Sequence, residues 1–496
     1  MEVGKSLKEK TITGLFWSFT DQFASQGIQF FVLLILARLV SPEDFGLIGM
    51  VSIFIVISNT LIDCGLTQAL IRERKVSQEE YSTIFFFNFI MASLLFIILY
   101  LIAPLVSTFF HDFRLVTILR VLSIGLLINS LGIIQRVILI RNINFRTQTK
   151  INFSAALCAG IIAIIFSLFG FGVWSIIIQS LIFQLAQTIL LWKCNKWIPT
   201  WTFSYQSLQK FFWFGNKLLI SNLIDTLYNN CYSIIIGRLY PAAQLGYYTN
   251  ASKLGDVIIN STTSSLQRVT YPVLSTIQDE EKLLSEGFQK IIRITAYIMF
   301  PLMCGMIVIS DSLIPLLLGP QWNDAIIYFQ LIAFAGMIYP LHAVNLNILQ
   351  VKGRSDLFLK LEVIKKILLT ILIAISLSFS LGILGLLGAA ILSSYISLFI
   401  NAYYSAKEIS YSIWKQLKDI LPLFLLSIFM GSFVFFIGVI SPGNLIIKLI
   451  FQVISGCLLY ASIGWMFKMK EFIVIYSLLF QLFNKVSRQN FKSKGA

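Results

Sequence analysis

Charged side chains occur within four long apolar segments of this chain, although a charge at the centre of a membrane costs about 2.5–3.5 kcal/mol on insertion scales. The acidic residues are Asp21, Asp63, Asp225 and Asp256, and the basic ones are Lys217, Lys253 and Arg268. Amide side chains accompany them at Gln22, Gln26, Asn222, Asn229 and Asn260. Cations bind phosphate groups, and amides hydrogen-bond hydroxyl groups. These charged and amide side chains within apolar segments therefore predict a functional site.

The spacing of these residues predicts polar faces on helices at defined depths. Asp256 lies about eleven residues, or roughly 16 Å, from the outer end of its segment, and Lys253 stands three residues before it. Asp225 is predicted at a similar depth, whereas Lys217 and Arg268 should lie closer to the cytoplasm. The other segments are far less polar, so the four polar segments are expected to face one another across a water-filled cavity.

Two simpler roles for the same residues remain open at this point. Lys253 and Asp256 could neutralise one another as an i,i+3 pair on one helix. The amides could bond neighbouring helices without contacting a ligand.

The composition indicates that these segments are surrounded by lipid and not by water. Of the 496 residues, 57% are hydrophobic and only 12% are charged, with a mean hydropathy of +0.82; soluble domains carry about 25% charged residues. Apolar runs recur along the whole chain, each long enough to cross a hydrocarbon core about 30 Å thick. The sequence therefore predicts an all-α integral membrane protein, because lipid offers the backbone no hydrogen-bond partner. The fourteen predicted transmembrane helices are 12–36, 44–70, 82–109, 116–140, 150–171, 173–194, 210–237, 245–275, 288–318, 325–350, 360–381, 383–405, 417–440 and 445–468.

The distribution of charge predicts the topology. The net charge of +15 is spread over the connections and forms no single patch, which argues against nucleic-acid binding. Lysines and arginines concentrate in every second connection, so the positive-inside rule predicts an even number of spans with both termini in the cytoplasm. None of the six cysteines falls in a connection predicted to be outside, so no disulfide framework is expected.

One motif occurs twice in the chain, each time at the predicted turn that follows the first helix of a half, and we call it the corner. ILARLVSPEDFGLIGM at 35–50 aligns without a gap with IIGRLYPAAQLGYYTN at 235–250, so that Gly46 matches Gly246. The repeat contains an even number of spans, so both halves share one orientation, as in transporters built from parallel repeats. Duplication kept for packing alone is the alternative. The predicted domains are an N-lobe at 1–194, a cytoplasmic interfacial linker at 195–209, a C-lobe at 210–405, a helix pair within 406–468 and a basic cytoplasmic tail at 469–496.

Six motifs in chain order carry a family resemblance. They are ARLVSPEDFGLIGM, DCGLTQALI, GRLYPAAQLGYYTNASKL, RVTYPVLSTIQ, LLGPQWNDA and LQVKGRSD. The chain resembles the polysaccharide transporters of the multidrug/oligosaccharidyl-lipid/polysaccharide superfamily, and most closely Wzx-type O-antigen, colanic acid and teichuronic acid exporters. The resemblance implies two V-shaped six-helix lobes with the last two helices as a peripheral pair. It further implies flipping of undecaprenyl-diphosphate-linked oligosaccharide across the bacterial inner membrane.

The substrate implied by the resemblance assigns roles to the polar residues. Lys217, Lys253 and Arg268 are predicted to bind the diphosphate, with the five amides on the sugar. A carboxyl that takes up H⁺ or Na⁺ would couple transport to an ion gradient, and the predicted residues are Asp21, Asp63, Asp225 and Asp256. Asp63 has no cation in its own span and is the preferred proton acceptor, since burial favours the neutral carboxyl. Asp225 and Asp256 could instead be paired permanently with lysines.

Enzymatic activity is not expected. The two histidines, His111 and His342, have no second histidine at ligand spacing, so neither a metal site nor a cofactor is predicted. No G-x-x-x-x-G-K-[ST] motif for binding ATP is present. The alternative function is a multidrug or cation antiporter of the same superfamily, whose members usually have twelve spans and acidic cavities. Expected partners are membrane lipids and polysaccharide polymerase machinery, for which the basic loops offer a docking surface.

Overall fold

The computed structural model describes residues 27–441 and 443–477, apart from the side chains of Lys217, Arg268, Val269 and Ser355. The predicted site residues Asp21, Gln22 and Gln26 therefore lie outside the described residues. Within the described chain, all regular secondary structure is helical. This agrees with the prediction of an all-α protein.

The helices follow the predicted order of spans. They are α1 (Gly27–Leu39), α2 (Pro42–Asp63), α3 (Leu66–Arg72), α4 (Gln78–Phe110), α5 (Arg114–Arg141), α6 (Phe145–Leu168), α7 (Val173–Cys194), α8 (Tyr205–Leu239), α9 (Ala242–Thr276), α10 (Glu281–Leu318), α11 (Ala325–Gly336), α12 (Tyr339–Val351), α13 (Ser355–Ser378), α14 (Gly382–Glu408), α15 (Ile413–Ile440) and α16 (Leu445–Met466). Residues 470–477 are also helical.

Ten helical segments of the described chain are long and apolar enough to span a membrane. One of the ten, Pro42–Arg72, consists of α2 and α3 together. Another, Ala325–Val351, consists of α11 and α12 together. Helices α8, α9 and α13 are long enough but too polar to be among them. The protein is thus a multi-pass membrane protein, whereas the count of fourteen spans stays a prediction.

Local sequence explains where the helices begin. Ser41 caps α2, since its Oγ accepts a hydrogen bond from the amide of Asp44 at 3.2 Å, and Pro42 occupies the first helical turn. Ser77 and Glu80 form a reciprocal capping box at the start of α4. These caps satisfy amides that would otherwise be unpaired where a helix leaves the membrane.

The described residues divide into two compact units between Thr249 and Asn250. In the first unit, α4 packs against α5, α6 against α7, and α2 against α8. In the second unit, α10 packs against α15 and α16, and α13 packs against α14. The predicted lobe boundaries at 1–194 and 210–405 stay predictions.

The segment between α7 and α8 is fixed to the first unit by hydrogen bonds. The Asn195 side chain donates to the carbonyl of Gln135 at 2.8 Å, and the Gln135 side chain donates to the carbonyl of Trp197 at 3.0 Å. The amide of Thr200 donates to Ser82 Oγ at 3.0 Å. Residues 195–204 are therefore a docked connection with its own backbone contacts on α4 and α5.

The two repeated sequence corners contact each other within the first unit. A Cβ atom added to Gly46 would lie 1.8 Å from the carbonyl oxygen of Ala242, and one added to Gly246 would lie 1.8 Å from the carbonyl oxygen of Pro42. Each pair is the other shifted by the repeat, since Pro42 matches Ala242 and Gly46 matches Gly246. Only glycine permits this approach of two helix starts, which explains why both corners contain it.

A second close approach accompanies a break between α2 and α3. Cys64 and Gly65 both adopt left-handed backbone conformations, with φ of 44° and 69°, and end α2 at Asp63. A Cβ atom on Gly215 of α8 would lie 2.3 Å from the carbonyl oxygen of Cys64. The broken helix therefore rests directly on the backbone of α8.

We predict that Gly46→Ala and Gly246→Ala each force the two corners apart, because a methyl group cannot occupy a site 1.8 Å from a carbonyl oxygen. Spin labels at Leu39 and Leu239, both exposed, in a variant with the native cysteines replaced, report the separation as a distance distribution. The alanine variants should shift it to longer distances.

Gly388→Ala is the matched control, because a Cβ atom there meets no atom within 4 Å. An unchanged distance distribution in Gly46→Ala and Gly246→Ala would show that the corners do not depend on glycine.

Candidate functional site

A polar stripe runs along α9 in the second unit. Lys253, Asp256, Asn260, Ser264 and Gln267 follow one another at intervals of three and four residues, which places them on one face of the helix. Lys253, Asp256 and Asn260 are exposed, whereas the neighbouring Leu254 and Ile259 are buried. Lys253 lies about 17 Å along the helix from Ala242, close to half the thickness of a bilayer. A charged stripe at that depth requires water next to it.

The predicted alternative role of Lys253 and Asp256 as a mutually neutralising pair does not describe the structure. Neither side chain makes an ion pair within 4.0 Å with any residue in the described ranges. Within this part of the chain, the amino group of Lys253 thus has no carboxylate partner. An ammonium group in this position can bind an anion directly.

The described amides of the predicted site also lack partners on neighbouring helices. The side chains of Asn222, Asn229 and Asn260 make no hydrogen bond among the residues that the structure describes. They differ from Asn129, whose amide donates to Asn59 Oδ1 at 2.8 Å. The three free amides are therefore available to a ligand with hydroxyl groups.

The polar face of α8 belongs to the first unit. Asn222, Asp225 and Asn229 lie three and four residues apart, and Asp225 and Asn229 are exposed. The helix extends over 35 residues, so this face lies well inside the length of the helix. Lys217 precedes it on the same helix, and its side chain lies outside the described atoms.

Asp63 occupies the break between α2 and α3. Its Oδ1 accepts a hydrogen bond from the amide of Thr67 at 3.2 Å, so the carboxylate caps the first turn of α3. Asp63 is about 32 Å along the helix from Pro42 and forms the C-terminal end of α2. Its depth in the membrane stays a prediction, because the segment Pro42–Arg72 is longer than the bilayer core.

Arg136 on α5 is a functional candidate that the sequence analysis missed. It interacts electrostatically with Asp63 across the α2–α5 contact. Its guanidinium donates a hydrogen bond to Asn129 Oδ1. The only available sequence signal was an arginine four residues inside the predicted end of a span, a position usually occupied by residues that extend to the headgroups.

Buried polar contacts tie helices of the second unit together. His342 on α12 contacts Ser394 Oγ at 3.3 Å through Nε2 and the Asn401 amide at 3.3 Å through Nδ1, both on α14. The Asn347 amide donates to Thr270 Oγ1 at 2.9 Å and thereby links α12 to α9.

A family model described as "Polysaccharide biosynthesis protein" matches residues 35–327. The chain belongs to this family. The match covers both repeated corners and the whole polar stripe of α9.

Curated relatives carry names from the same area of biology. The chain is 27% identical over 355 residues to the teichuronic acid biosynthesis protein TuaB of Bacillus subtilis (strain 168), covering 71% of this chain and 73% of the relative. It is 25% identical over 435 residues to the lipopolysaccharide biosynthesis protein WzxC of Escherichia coli (strain K12), covering 86% and 88%. The resemblance to Wzx-type proteins is thereby confirmed.

Solved structures share the fold. The chain superposes on the lipid II flippase MurJ in an inward closed conformation with a TM-score of 0.74 and 16% identity, covering 91% of this chain and 98% of that one. It superposes on an inward-facing MATE family multidrug transporter with a TM-score of 0.60 and 14% identity, covering 83% and 96%. At these identities the likeness shows the fold alone.

We predict that the exposed face of α9 is reached by water. In a variant with the native cysteines replaced, Lys253→Cys and Asp256→Cys should react with a water-soluble, membrane-impermeant thiol reagent, because both positions are exposed. The buried Leu254→Cys is the control on the same turn and should not react. Equal protection of all three positions would mean that lipid or protein covers the stripe.

Proposed function

We propose that the protein flips a lipid-linked oligosaccharide precursor of a surface polysaccharide from one leaflet of the bacterial inner membrane to the other. The observation that carries this proposal is the exposed Lys253, which lies deep within a spanning-length helix without an ion pair among the described residues. Membership of the polysaccharide biosynthesis protein family supports the choice of substrate.

The chemistry of the polar stripe fits the head of such a substrate. An ammonium group at Lys253 would hold the diphosphate of an undecaprenyl-diphosphate-linked glycan as a point charge. The free amide of Asn260, two turns along the same face, would hydrogen-bond sugar hydroxyls. The polyprenyl tail needs no site of its own, because it can stay in the bilayer. Lys217 and Arg268 are proposed as further diphosphate-binding cations, with Gln22, Gln26, Asn222 and Asn229 as further sugar-binding amides.

Transport across the membrane requires that the site open to each side in turn. We propose that the contact of Gly46 with Ala242 and of Gly246 with Pro42 closes the outer side while the cytoplasmic side is open. The backbones meet there without an intervening side chain at either glycine, and apolar side chains such as Leu245 pack beside them. Both termini are proposed to be cytoplasmic, with partners in the polysaccharide polymerase machinery.

Coupling to an ion is a separate part of the proposal. Asp21, Asp63, Asp225 and Asp256 are the proposed positions for H⁺ or Na⁺. Asp63 has Arg136 as an electrostatic partner, whereas Asp256 has no ion pair in the described chain. Asp256 therefore joins Asp63 as a primary position to test.

We predict that the purified protein in proteoliposomes moves a fluorescent undecaprenyl-diphosphate-linked glycan between leaflets, and that Lys253→Gln slows this movement by at least about tenfold, the effect of losing about 1.4 kcal/mol of binding. Lys253→Arg should retain most of the activity, because it keeps the positive charge. Lys290→Gln, at an exposed lysine of α10, is the control and should transport at the wild-type rate.

A cationic dye tests the alternative function in the same vesicles. Movement of the dye without movement of the glycan lipid would identify a multidrug antiporter and overturn the proposal. Normal glycan movement by Lys253→Gln would leave the flippase function intact but remove Lys253 from it.

We predict that Asp63→Asn or Asp256→Asn abolishes the dependence of the flipping rate on an imposed pH or Na⁺ gradient, because an amide cannot bind either ion as a carboxylate does. The rate without a gradient should change less. A gradient dependence identical to wild type in both variants would exclude these two carboxylates from coupling.

A further inference from the structure

Arg136 has an unusual environment for an arginine within a membrane span. It lies on α5, whose residues Arg114–Arg141 form one of the spanning helices. No carboxylate comes within ion-pair distance of it among the described residues, and its hydrogen bond to Asn129 Oδ1 is its only one there. Asp63 acts on it only at longer range.

The guanidinium retains unused donors that open onto accessible space. An arginine side chain carries five N–H groups in a planar fork, and Asn129 accepts from one nitrogen of this fork. None of the Arg136 nitrogens is among the enclosed polar atoms that lack a partner in the described chain. The side chain as a whole is half-buried. Its free donors therefore face a space that water or a ligand can enter.

A chain of amides sets the orientation of this fork. The Asn129 amide nitrogen donates to Asn59 Oδ1 on α2 at 2.8 Å, which turns Asn129 Oδ1 toward Arg136. Asn129 and Arg136 stand seven residues apart, two helical turns along one face of α5. The α2–α5 contact thus holds the guanidinium in place without neutralising it. Such a held, unneutralised fork is suited to bidentate binding of a phosphate group.

Arg136 lies near the C-terminal end of α5. It is about 33 Å along α5 from Arg114, and hence near the boundary predicted to be cytoplasmic. A ligand that enters from the cytoplasmic leaflet would encounter this level of the membrane before it reaches mid-depth. Asp63 lies near the same boundary and partly offsets the positive charge, so a bound anion can also leave.

We propose that Arg136, oriented by Asn129 and Asn59, is an anion-binding residue of the first unit that receives the phosphate groups of the substrate at the cytoplasmic side. The inference rests on the proposed flippase function and adds a binding residue to it on α5. The ligand class is a phosphate or diphosphate ester. It could belong to the lipid-linked substrate, to an ordinary phospholipid or to a free soluble phosphate.

Binding measurements on the full chain in nanodiscs distinguish these sources. The probes are farnesyl diphosphate, inorganic pyrophosphate, and phosphatidylglycerol added to phosphatidylcholine nanodiscs. Farnesyl diphosphate should bind most tightly, and Arg136→Gln should weaken its binding by at least about tenfold. Arg136→Lys should weaken it less, because charge is kept but the fork is lost.

Asn129→Asp separates ligand binding from a structural role. The new carboxylate would lie against the guanidinium and compete with an anionic ligand, so we expect a loss of affinity comparable to Arg136→Gln with no loss of thermal stability. A merely structural arginine would gain an ion pair in this variant and leave ligand affinity unchanged. Arg120→Gln is the matched control on the same helix, since Arg120 is already occupied by the ring and carbonyl of Tyr100.

The possible outcomes test the role of Arg136 separately from the proposed flippase function. Unchanged farnesyl diphosphate affinity in both Arg136→Gln and Asn129→Asp, with glycan flipping by the wild type, overturns the role of Arg136 and leaves the flippase function standing. Tighter binding of pyrophosphate or phosphatidylglycerol than of farnesyl diphosphate overturns the assignment to the substrate. Absence of glycan flipping by the wild type overturns the proposed function itself, while a loss of diphosphate affinity in Arg136→Gln would still establish the anion site.

Discussion

A charge inside a membrane must be paired, or it must face water or a ligand, and this constraint explains most of the polar architecture of the protein. Lys253 on α9 and Arg136 on α5 both lack an ion pair among the described residues. Desolvating either one in lipid would cost several kcal/mol. Both are accessible, so the cost is avoided only if water or an anion occupies the space beside them.

Close contacts between helix backbones are a second feature of the structure. Gly46 and Gly246 let two helix starts touch through their carbonyl groups, and Gly215 lets α8 rest on the break at Cys64 and Gly65. Contacts of this kind depend on the absence of a side chain at the glycine. Apolar side chains pack around the contact of the two corners, since a Cβ atom on Gly49 would meet Leu245.

The exposed stripe on α9 combines both signs of charge. Lys253 lies on the same exposed stripe as Asp256 without neutralising it, so the stripe presents both a cation and an acid, with the amide of Asn260 beside them. A diphosphate ester carrying a sugar offers a complementary anion and hydroxyl groups. Membership of the polysaccharide biosynthesis protein family is consistent with that chemistry.

The sequence by itself determined the all-helical membrane class, the order of the helices and the family, because hydrophobic run length and motif order are local properties of the chain. It also determined that Lys253, Asp256 and Asn260 share one helix face, since this follows from helical periodicity. Only the tertiary structure decided that Lys253 and Asp256 are not paired, because rotamers and neighbouring helices set that distance. It also brought Arg136 within electrostatic range of Asp63, 73 residues away in the chain. That proximity arises from packing between helices, which the periodicity of the sequence does not reveal.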